Sequence, residues 1–313
     1  MLLRFAASPN ENCARPILFV KTCIICNPGA GNVDDREKIR AQLARFSPAE
    51  IEFTDGEGDA RKMARVAAEK GYERILAAGG DGTFNEVING IAKHTDRLQV
   101  GLIPLGTGND FARMLSLPDK IDDCIEALLA GRTRAIDLVR VTSDQVRYFA
   151  NVSAGGFSGT VDEKLTPEIK QMWGPLAYLR SAAEALPELR SYATQIVFDD
   201  ADRLELDLYN AVIANGRYVA GGTLIAPEAE IDDGLLDVIL VPKNSAPALA
   251  LLVAQIACGK HLGSDSIVFR RARKMSIKSV PGMWFNVDGE LVGNEPAVFE
   301  VLPRALQVLV GTN

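Results

Sequence analysis

The sequence is poor in histidine, holding only His94 and His261, so a three-histidine zinc site is excluded by count. Cysteine is scarce as well. Cys13, Cys23, Cys26, Cys124 and Cys258 are an odd number scattered over 313 residues, too few for a disulfide framework, which points to a reducing compartment. Cys23 and Cys26 have the spacing of a redox or zinc pair. They lie within Phe19–Cys26, however, an apolar β-branched run that reads as a buried strand, where residues three apart face opposite ways. No second pair completes a zinc site and no helix begins at Cys23 to acidify a thiol, so both are read as packing residues.

An excess of positive charge is also lacking. Lys plus Arg is 34 against 41 Asp plus Glu, a net charge of −7, which disfavours coating a nucleic-acid backbone. No apolar run is long enough to span a membrane: the most apolar helix candidate, Ala246–Cys258, is about 13 residues between Lys243 and Lys260, against roughly 20 required. Met1–Arg15 has no sustained apolar stretch and does not read as a signal peptide. The expectation is a cytoplasmic protein that can still approach a membrane surface.

What the sequence does have is a globular balance of 47% hydrophobic and 24% charged residues, over a length that suits two domains. Up to about residue 140, strand-like and helix-like stretches alternate. Strands are expected at Phe19–Cys26, Ile51–Thr54, Arg74–Ala78 and Gln99–Pro104, with helices at Val33–Phe46, Asp59–Lys70, Thr83–Ile91, Asn109–Leu115 and Ile121–Ala130. This rhythm predicts a doubly wound parallel α/β sheet, whose ligands bind at the carboxyl ends of the strands. The remainder reads as a mainly antiparallel β-sandwich: Arg134–Val141, Val146–Ser153, Gln195–Phe198, Leu204–Ala214, Leu235–Val241, Arg273–Lys278 and Trp284–Val287. Helical insertions are expected at Trp173–Leu189 and Ala246–Leu262. The expected division is 17–140 for the α/β domain and 141–296 for the β-rich one. Residues 297–313 return to the first, and 1–16 form an extra segment.

Three Gly-rich turns follow strands of the first domain: Asn27-Pro28-Gly29-Ala30-Gly31, Gly79-Gly80-Asp81-Gly82-Thr83, and Gly106-Thr107-Gly108-Asn109-Asp110. Glycines let backbone amides approach a polyphosphate, and a helix N-terminus adds partial positive charge. An acid in the middle of such a loop makes sense if it holds a cation that bridges phosphates. The plainer alternative is that Asp81 and Thr83 cap the following helix. The first turn is not a Walker A loop, since Gly31 is followed by Asn32. No G-x-G-x-x-G opens the first helix, which disfavours an ordinary dinucleotide fold.

Taken together, Gly79-Gly80-Asp81-Gly82-Thr83 with Asn85-Glu86 and Asn89-Gly90, the upstream Asn27-Pro28 turn and the downstream Gly106-Thr107-Gly108-Asn109-Asp110-Phe111-Ala112-Arg113 resemble the catalytic domain of the diacylglycerol kinase family, in particular its soluble bacterial lipid kinases. The related sphingosine kinases usually carry Ser at the position of Gly79, and NAD kinases share the central loop but not the flanking turns. The resemblance implies ATP and Mg²⁺ as cofactors. Nucleotide contacts would fall on Asn27, Pro28, Gly29, Ala30, Gly31, Thr54, Gly80, Asp81, Gly82, Thr83, Phe84, Asn85, Glu86, Thr107 and Asn109. It implies a magnesium–water network joining Asp81 to Asp137, and a second Mg²⁺ or Ca²⁺ site on Asp233 with the carbonyls of Glu230 and Leu235. It also implies a catalytic base in Val287-Asp288-Gly289-Glu290, either Asp288 or Glu290, with Glu290 favoured.

The expected activity is transfer of the γ-phosphate of ATP to a hydroxyl of a lipid, diacylglycerol or a related glycerolipid or sphingolipid presented at a membrane surface. A homodimer is left open, and Arg270-Arg271-Ala272-Arg273-Lys274 is the densest basic cluster available to anionic headgroups. Two rivals are an NAD-kinase-type phosphotransferase acting on a soluble ribose and a non-catalytic nucleotide- or lipid-binding protein of the same fold.

Overall fold

The computed structural model describes residues 20–31, 35–156, 190–287, 290–293 and 296–311. The first unit runs β1 (Thr22–Cys26), α1 (Arg36–Leu43), β2 (Ala49–Phe53), α2 (Asp59–Glu69), β3 (Arg74–Gly79), α3 (Asp81–Ile91), β4 (Gln99–Pro104), α4 (Asp110–Met114) and α5 (Ile121–Leu129). Its strands pair in parallel in the order β2-β1-β3-β4. β1 and β3 are buried along their whole length, as a parallel sheet covered on both faces requires. Cys23 and Cys26 are fully buried within β1, and burial pushes their thiols up to about 12 and about 11. The helices present apolar stripes to this core; Val87, Ile88 and Ile91 do so from α3. Gly90 lets α3 pack tightly on α2, since a Cβ there would lie 2.4 Å from the Arg61 carbonyl oxygen.

The second unit comprises β5 (Thr133–Thr142), β6 (Val146–Phe149), β7 (Val152–Gly156), β8 (Tyr192–Phe198), β9 (Asp202–Ala214), β10 (Tyr218–Val219), β11 (Thr223–Leu224), β12 (Leu236–Pro242), α6 (Ala246–Ala257), β13 (Val268–Ala272), β14 (Lys274–Val280), β15 (Phe285–Val287), β16 (Glu290–Val292) and β17 (Ala297–Leu309). Its pairings are antiparallel. β17 joins the two units, pairing antiparallel with β5 and β14 and, through Gln307 and Val308, parallel with β4. Among the described residues, no helix is long and apolar enough to cross a membrane.

Several sequence expectations are corrected here. Val146–Ser153 is not one strand. It breaks at Ala150-Asn151 because those carbonyls leave the ladder for a turn: Asn215 donates its side-chain amide to Ala150 O (2.8 Å), and the Asn215 and Gly216 N–H groups donate to Asn151 O. Val268–Ala272 forms a strand that the sequence reading passed over, because its outward Arg270-Arg271 pair hides the alternation. The first helix starts at Arg36, where Asp35 accepts the N–H groups of Glu37 and Lys38. The expected helix Trp173–Leu189 and the segment 1–16 lie outside the described residues.

Candidate active site

The three Gly-rich turns meet at the carboxyl edge of the parallel sheet, and backbone contacts lock them together. Asn27 donates its backbone N–H to Ala78 O (2.9 Å) and its side-chain amide to Thr83 Oγ1 (3.2 Å), while its Oδ1 accepts from Gly29 N (2.9 Å). The first turn is thereby pinned to the second. Leu105 N donates to Gly79 O, and a Cβ on Gly106 would sit 2.7 Å from Gly80 Cα, so the second and third turns touch through glycine alone. Gly31 has φ +58°, and a Cβ there would meet Leu105 O at 2.0 Å, closing the first turn on the third. Thr54 is buried behind them and donates its N–H to Cys26 O. Ala30 lies half-buried, and Thr107 and Gly82 are exposed.

Asp81 occupies the centre, in a role that the sequence reading did not anticipate. α3 starts at Gly80 with no side-chain cap, so Asp81 and Thr83 do not cap their own helix. Instead Asp81 Oδ2 accepts from Asp110 N (3.0 Å) and Oδ1 from Phe111 N (2.9 Å), so it caps α4 across the cleft. Phe84 stacks on Phe111 at 5.0 Å between ring centroids and seals the underside. Burial pushes the Asp81 carboxyl above its usual range; the two backbone amides oppose this, and the nearby Asp110 charge adds to it.

Asp110 is the site residue that sequence reasoning left out. Its Oδ1 accepts from Arg113 Nη1 (3.0 Å) and its Oδ2 from Gly221 N (2.9 Å), in the turn between β10 and β11. The signal was present in the sequence, as the acid that follows Asn109 in the third Gly-rich turn. Gly108 faces both carboxylates: a Cβ there would lie 3.6 Å from Asp81 Oδ2 and 3.8 Å from Asp110 Oδ2. Each of the four oxygens accepts one of these hydrogen bonds and keeps a second lone pair, and the missing side chain of Gly108 leaves room beside the two Oδ2 atoms. The donor set and the cradle fit a hard divalent cation.

Asp137 is placed elsewhere. It is fully buried, its Oδ2 accepting from Gly234 N and its Oδ1 from Arg304 N, both at 2.7 Å. The second bond fills the bulge of β17, where Arg304 turns to φ +51° and the register with β5 shifts. Its hydrogen bonds therefore tie β5 to the 231–234 turn. The Asp81 carboxylate meets the Asp110 backbone N–H, while the bonds of Asp137 run to Gly234 and Arg304.

At the expected second cation site the Asp233 carboxylate already has protein partners. Asp233 Oδ1 accepts from Leu235 N (2.9 Å), and Oδ2 accepts from Arg271 Nη2 (2.8 Å). The Arg271 Nε also reaches Asp237 Oδ1 at 2.7 Å, and Nη2 contacts Glu228 O at 3.4 Å. A guanidinium thus stands where a cation bound by Asp233 and the Glu230 and Leu235 carbonyls would have to compete with it. Among the described residues no group of three or more His, Cys, Asp or Glu side chains is placed to hold a metal ion.

Of the remaining residues, Asn85 and Asn89 link the two units. Glu86 accepts from Gly58 N (3.0 Å) and Arg61 N (3.3 Å), capping α2 and fixing the loop after Thr54. Asn89, also missed, exchanges two hydrogen bonds with the Tyr148 backbone (2.8 and 2.9 Å). Its neighbour one turn back, Asn85, is buried and donates to Val287 O at 3.5 Å, which sets the end of β15 against α3. Asp288 lies outside the described residues; Glu290 opens β16, paired with Val287. Asn109 holds the third turn by donating to Gly106 O (2.6 Å).

Comparison with known proteins decides what this arrangement belongs to. Residues 21–141 match the diacylglycerol kinase catalytic domain, and residues 150–310 match the YegS C-terminal NAD kinase beta sandwich-like domain. A Staphylococcus carnosus diacylglycerol kinase is 33% identical over 290 residues, covering 91% of this chain and 93% of that protein. The chain belongs to this lipid kinase family. A crystal structure of a diacylglycerol kinase from Bacillus anthracis shares its fold, with a TM-score of 0.70 at 22% identity over 93% of this chain and 97% of that one. An NAD kinase from Archaeoglobus fulgidus, solved in complex with ATP, shares the fold more distantly, with a TM-score of 0.51 at 13% identity over 93% and 94% of the two chains. The lipid kinase is a two-unit enzyme whose turns converge where a nucleotide-binding edge of a parallel sheet is expected.

Proposed function

We propose that this lipid kinase transfers the γ-phosphate of ATP to the hydroxyl of diacylglycerol or a closely related glycerolipid. The observation that carries the reading is the pair Asp81 and Asp110, facing one open glycine cradle between three locked Gly-rich turns. The uncapped start of α3 directs N–H groups and the positive end of its dipole at a phosphate, beside Asn27 and Thr83. Mg²⁺ held by Asp81 and Asp110 would neutralise charge on the transferring phosphoryl group. Asp137 acts as a positioning residue that sets the 231–234 turn.

The lipid alcohol is a weak nucleophile, so its proton passes to the carboxylate of Asp288 or Glu290 as the oxygen–phosphorus bond forms and the bond to the ADP oxygen breaks. Asn85 supports this assignment by holding Val287 against α3. The test is purified protein with radiolabelled ATP, Mg²⁺ and a panel of lipids. Label should enter the organic phase with diacylglycerol, and should fall by at least about a hundredfold in Glu290→Gln or Asp288→Asn. Label appearing only on a soluble ribose would refute the reading in favour of the NAD-kinase type.

A further inference from the structure

The basic cluster that the sequence offers for membrane contact is largely used within the fold. Arg270 pairs with Asp202 (3.6 Å), Arg271 bridges Asp233 and Asp237, and Lys274 pairs with Asp200 (3.0 Å). A different surface is left over. α6 buries Leu249 and Leu252, and Leu252 joins a cluster with Val152, Val212, Ile239 and Ile267, as any surface helix would. Its outer face, where charged residues are the rule, is apolar instead: Ala246, Pro247, Ala250, Leu251, Ala254 and Ala257 are exposed, and Leu251 is 59% exposed. No charged residue occurs between Lys243 and Lys260, and both of these lysines are exposed at the ends of the segment.

We propose that this outer face of α6 is the surface by which the kinase docks on an anionic lipid bilayer, lying flat in the headgroup region. The reading rests on the lipid substrate proposed above. A 12-residue helix is roughly 18 Å long, too short to span but suited to lying in the interface. The two flanking ammonium groups complement anionic headgroups, which favours a bilayer over a second copy of this acidic chain. The exposed acids closest along the chain are Asp233 before Lys243 and Asp265 beyond Lys260, while Asp207 meets the segment through its carbonyl, which accepts from Lys243 N. None of them lies on the helix. α6 also packs on β11, with Gly259 against Leu224, and the β10–β11 turn is the one whose Gly221 N–H binds Asp110. Docking α6 therefore holds the element behind the Asp110 carboxylate next to the bilayer that supplies the substrate.

The test is co-sedimentation of nucleotide-free protein with vesicles of phosphatidylcholine and phosphatidylglycerol. The wild type should sediment, and Leu251→Asp should lose roughly tenfold in vesicle affinity with unchanged melting temperature, because the side chain is exposed. Lys243→Gln with Lys260→Gln should lose roughly fivefold per lysine on these vesicles and nothing on phosphatidylcholine alone. Leu251→Asp should keep wild-type turnover on detergent-dispersed lipid. The proposal is overturned if the wild type does not sediment, if Leu251→Asp sediments like the wild type, or if ultracentrifugation shows a wild-type dimer that Leu251→Asp dissolves. Since sedimentation is read without ATP, a failure of the kinase reading shows separately, as absent label in the lipid panel.

Discussion

Replacing Arg271 by Gln removes the cation that the fold has built into its acidic turn, and the cost can be worked out from its partners. The Asp237 side chain is 1% exposed, and among the described residues Arg271 Nε at 2.7 Å is its one ion-pair partner and its Oδ2 has no hydrogen bond. Stripping a fully buried carboxylate of its partner costs roughly 3–5 kcal/mol. The Arg271 side chain is 36% exposed, so solvent screens part of the pair, and about 2–3 kcal/mol is the reasonable expectation. That corresponds to a fall in melting temperature of roughly 5–10 °C. Burial already pushes the Asp237 carboxyl up, against the pull of Arg271, and without the guanidinium it rises further. A raised folded-state value favours the protonated form, so the deficit should be small in acid and grow as pH rises through that value. Losing Arg271 also frees Asp233 Oδ2, and Mg²⁺ should then restore stability by mass action, by about 2.7 kcal/mol at a hundredfold excess over its Kd. Urea unfolding in acid and at neutral pH, with chelator or Mg²⁺, reads all three effects. The reasoning is refuted if Arg271→Gln is as stable as the wild type. It is equally refuted if a chelator destabilises the wild type by an amount that Asp233→Asn abolishes, since Asp233 would then hold a metal beside the arginine.

Gly106→Ala places a Cβ 2.7 Å from Gly80 Cα, backbone that cannot swing aside; it should cost about 1–3 kcal/mol and weaken binding of a fluorescent ATP analogue at least about tenfold, and unchanged titration and melting curves would show that the turns have slack. The buried thiols of Cys23, Cys26 and Cys124, pushed up to about 12, 11 and 12, should resist alkylation in the folded protein while exposed Cys258 reacts, which peptide mass spectrometry after iodoacetamide treatment checks. Because the unfolded thiols ionise near 9.0, the stability they contribute should decline as pH rises from there towards those folded values, visible as a falling urea midpoint. His261 is fully buried with Nε2 2.7 Å from Ile225 O, and burial holds its imidazole below the ordinary 6.5. Stability should therefore drop as pH falls through the unfolded-state value, and His261→Gln should flatten that part of the profile; an equal slope in both proteins would refute the assignment.

The parallel half of the fold was legible because its determinants are local. The runs Cys23–Cys26 and Ile75–Ala78 are continuous and apolar, as strands buried on both faces must be, and each is followed at once by glycines. The split of Val146–Ser153 was not legible, because its cause lies more than sixty residues away, in the Asn215 side chain that takes the Ala150 carbonyl. The same distance effect governs the site. The position of Asp81 in a glycine turn marked it as special, yet its bonds to the amides of Asp110 and Phe111 depend on how two turns approach each other. The partners of Asp137 were hidden for a related reason. One acid in a β-rich run carries no sign of which partner it will meet, and here the partners are the N–H groups of Gly234 and Arg304, brought in by a turn and by the bulge of the last strand.

The double engagement of Asp81 changes how a substitution there should be read. A carboxylate that caps α4 from the α3 side does two things with the same oxygens, because each has one lone pair committed to a backbone N–H and one left over. A cation held on the remaining pairs of Asp81 and Asp110, as proposed above, would lower the repulsion between them and strengthen the hold on both turns, so cation binding and ordering of the third turn would be coupled. Asp81→Asn keeps the shape but turns one acceptor into an NH₂ donor facing an N–H donor, so it breaks the cap as well as the cation site. Loss of activity in that variant alone would not separate the two roles. Asp110→Asn differs, since the one oxygen it retains can take the place of Oδ2 towards Gly221 N, while Arg113 on the other side is 41% exposed and free to turn to solvent. Asp110→Asn should therefore leave the melting temperature nearly intact and raise the Mg²⁺ concentration needed for turnover, whereas Asp81→Asn should lower both stability and turnover at every Mg²⁺ concentration. If the two variants instead behave alike, the cap and the cation site are not separable at Asp81.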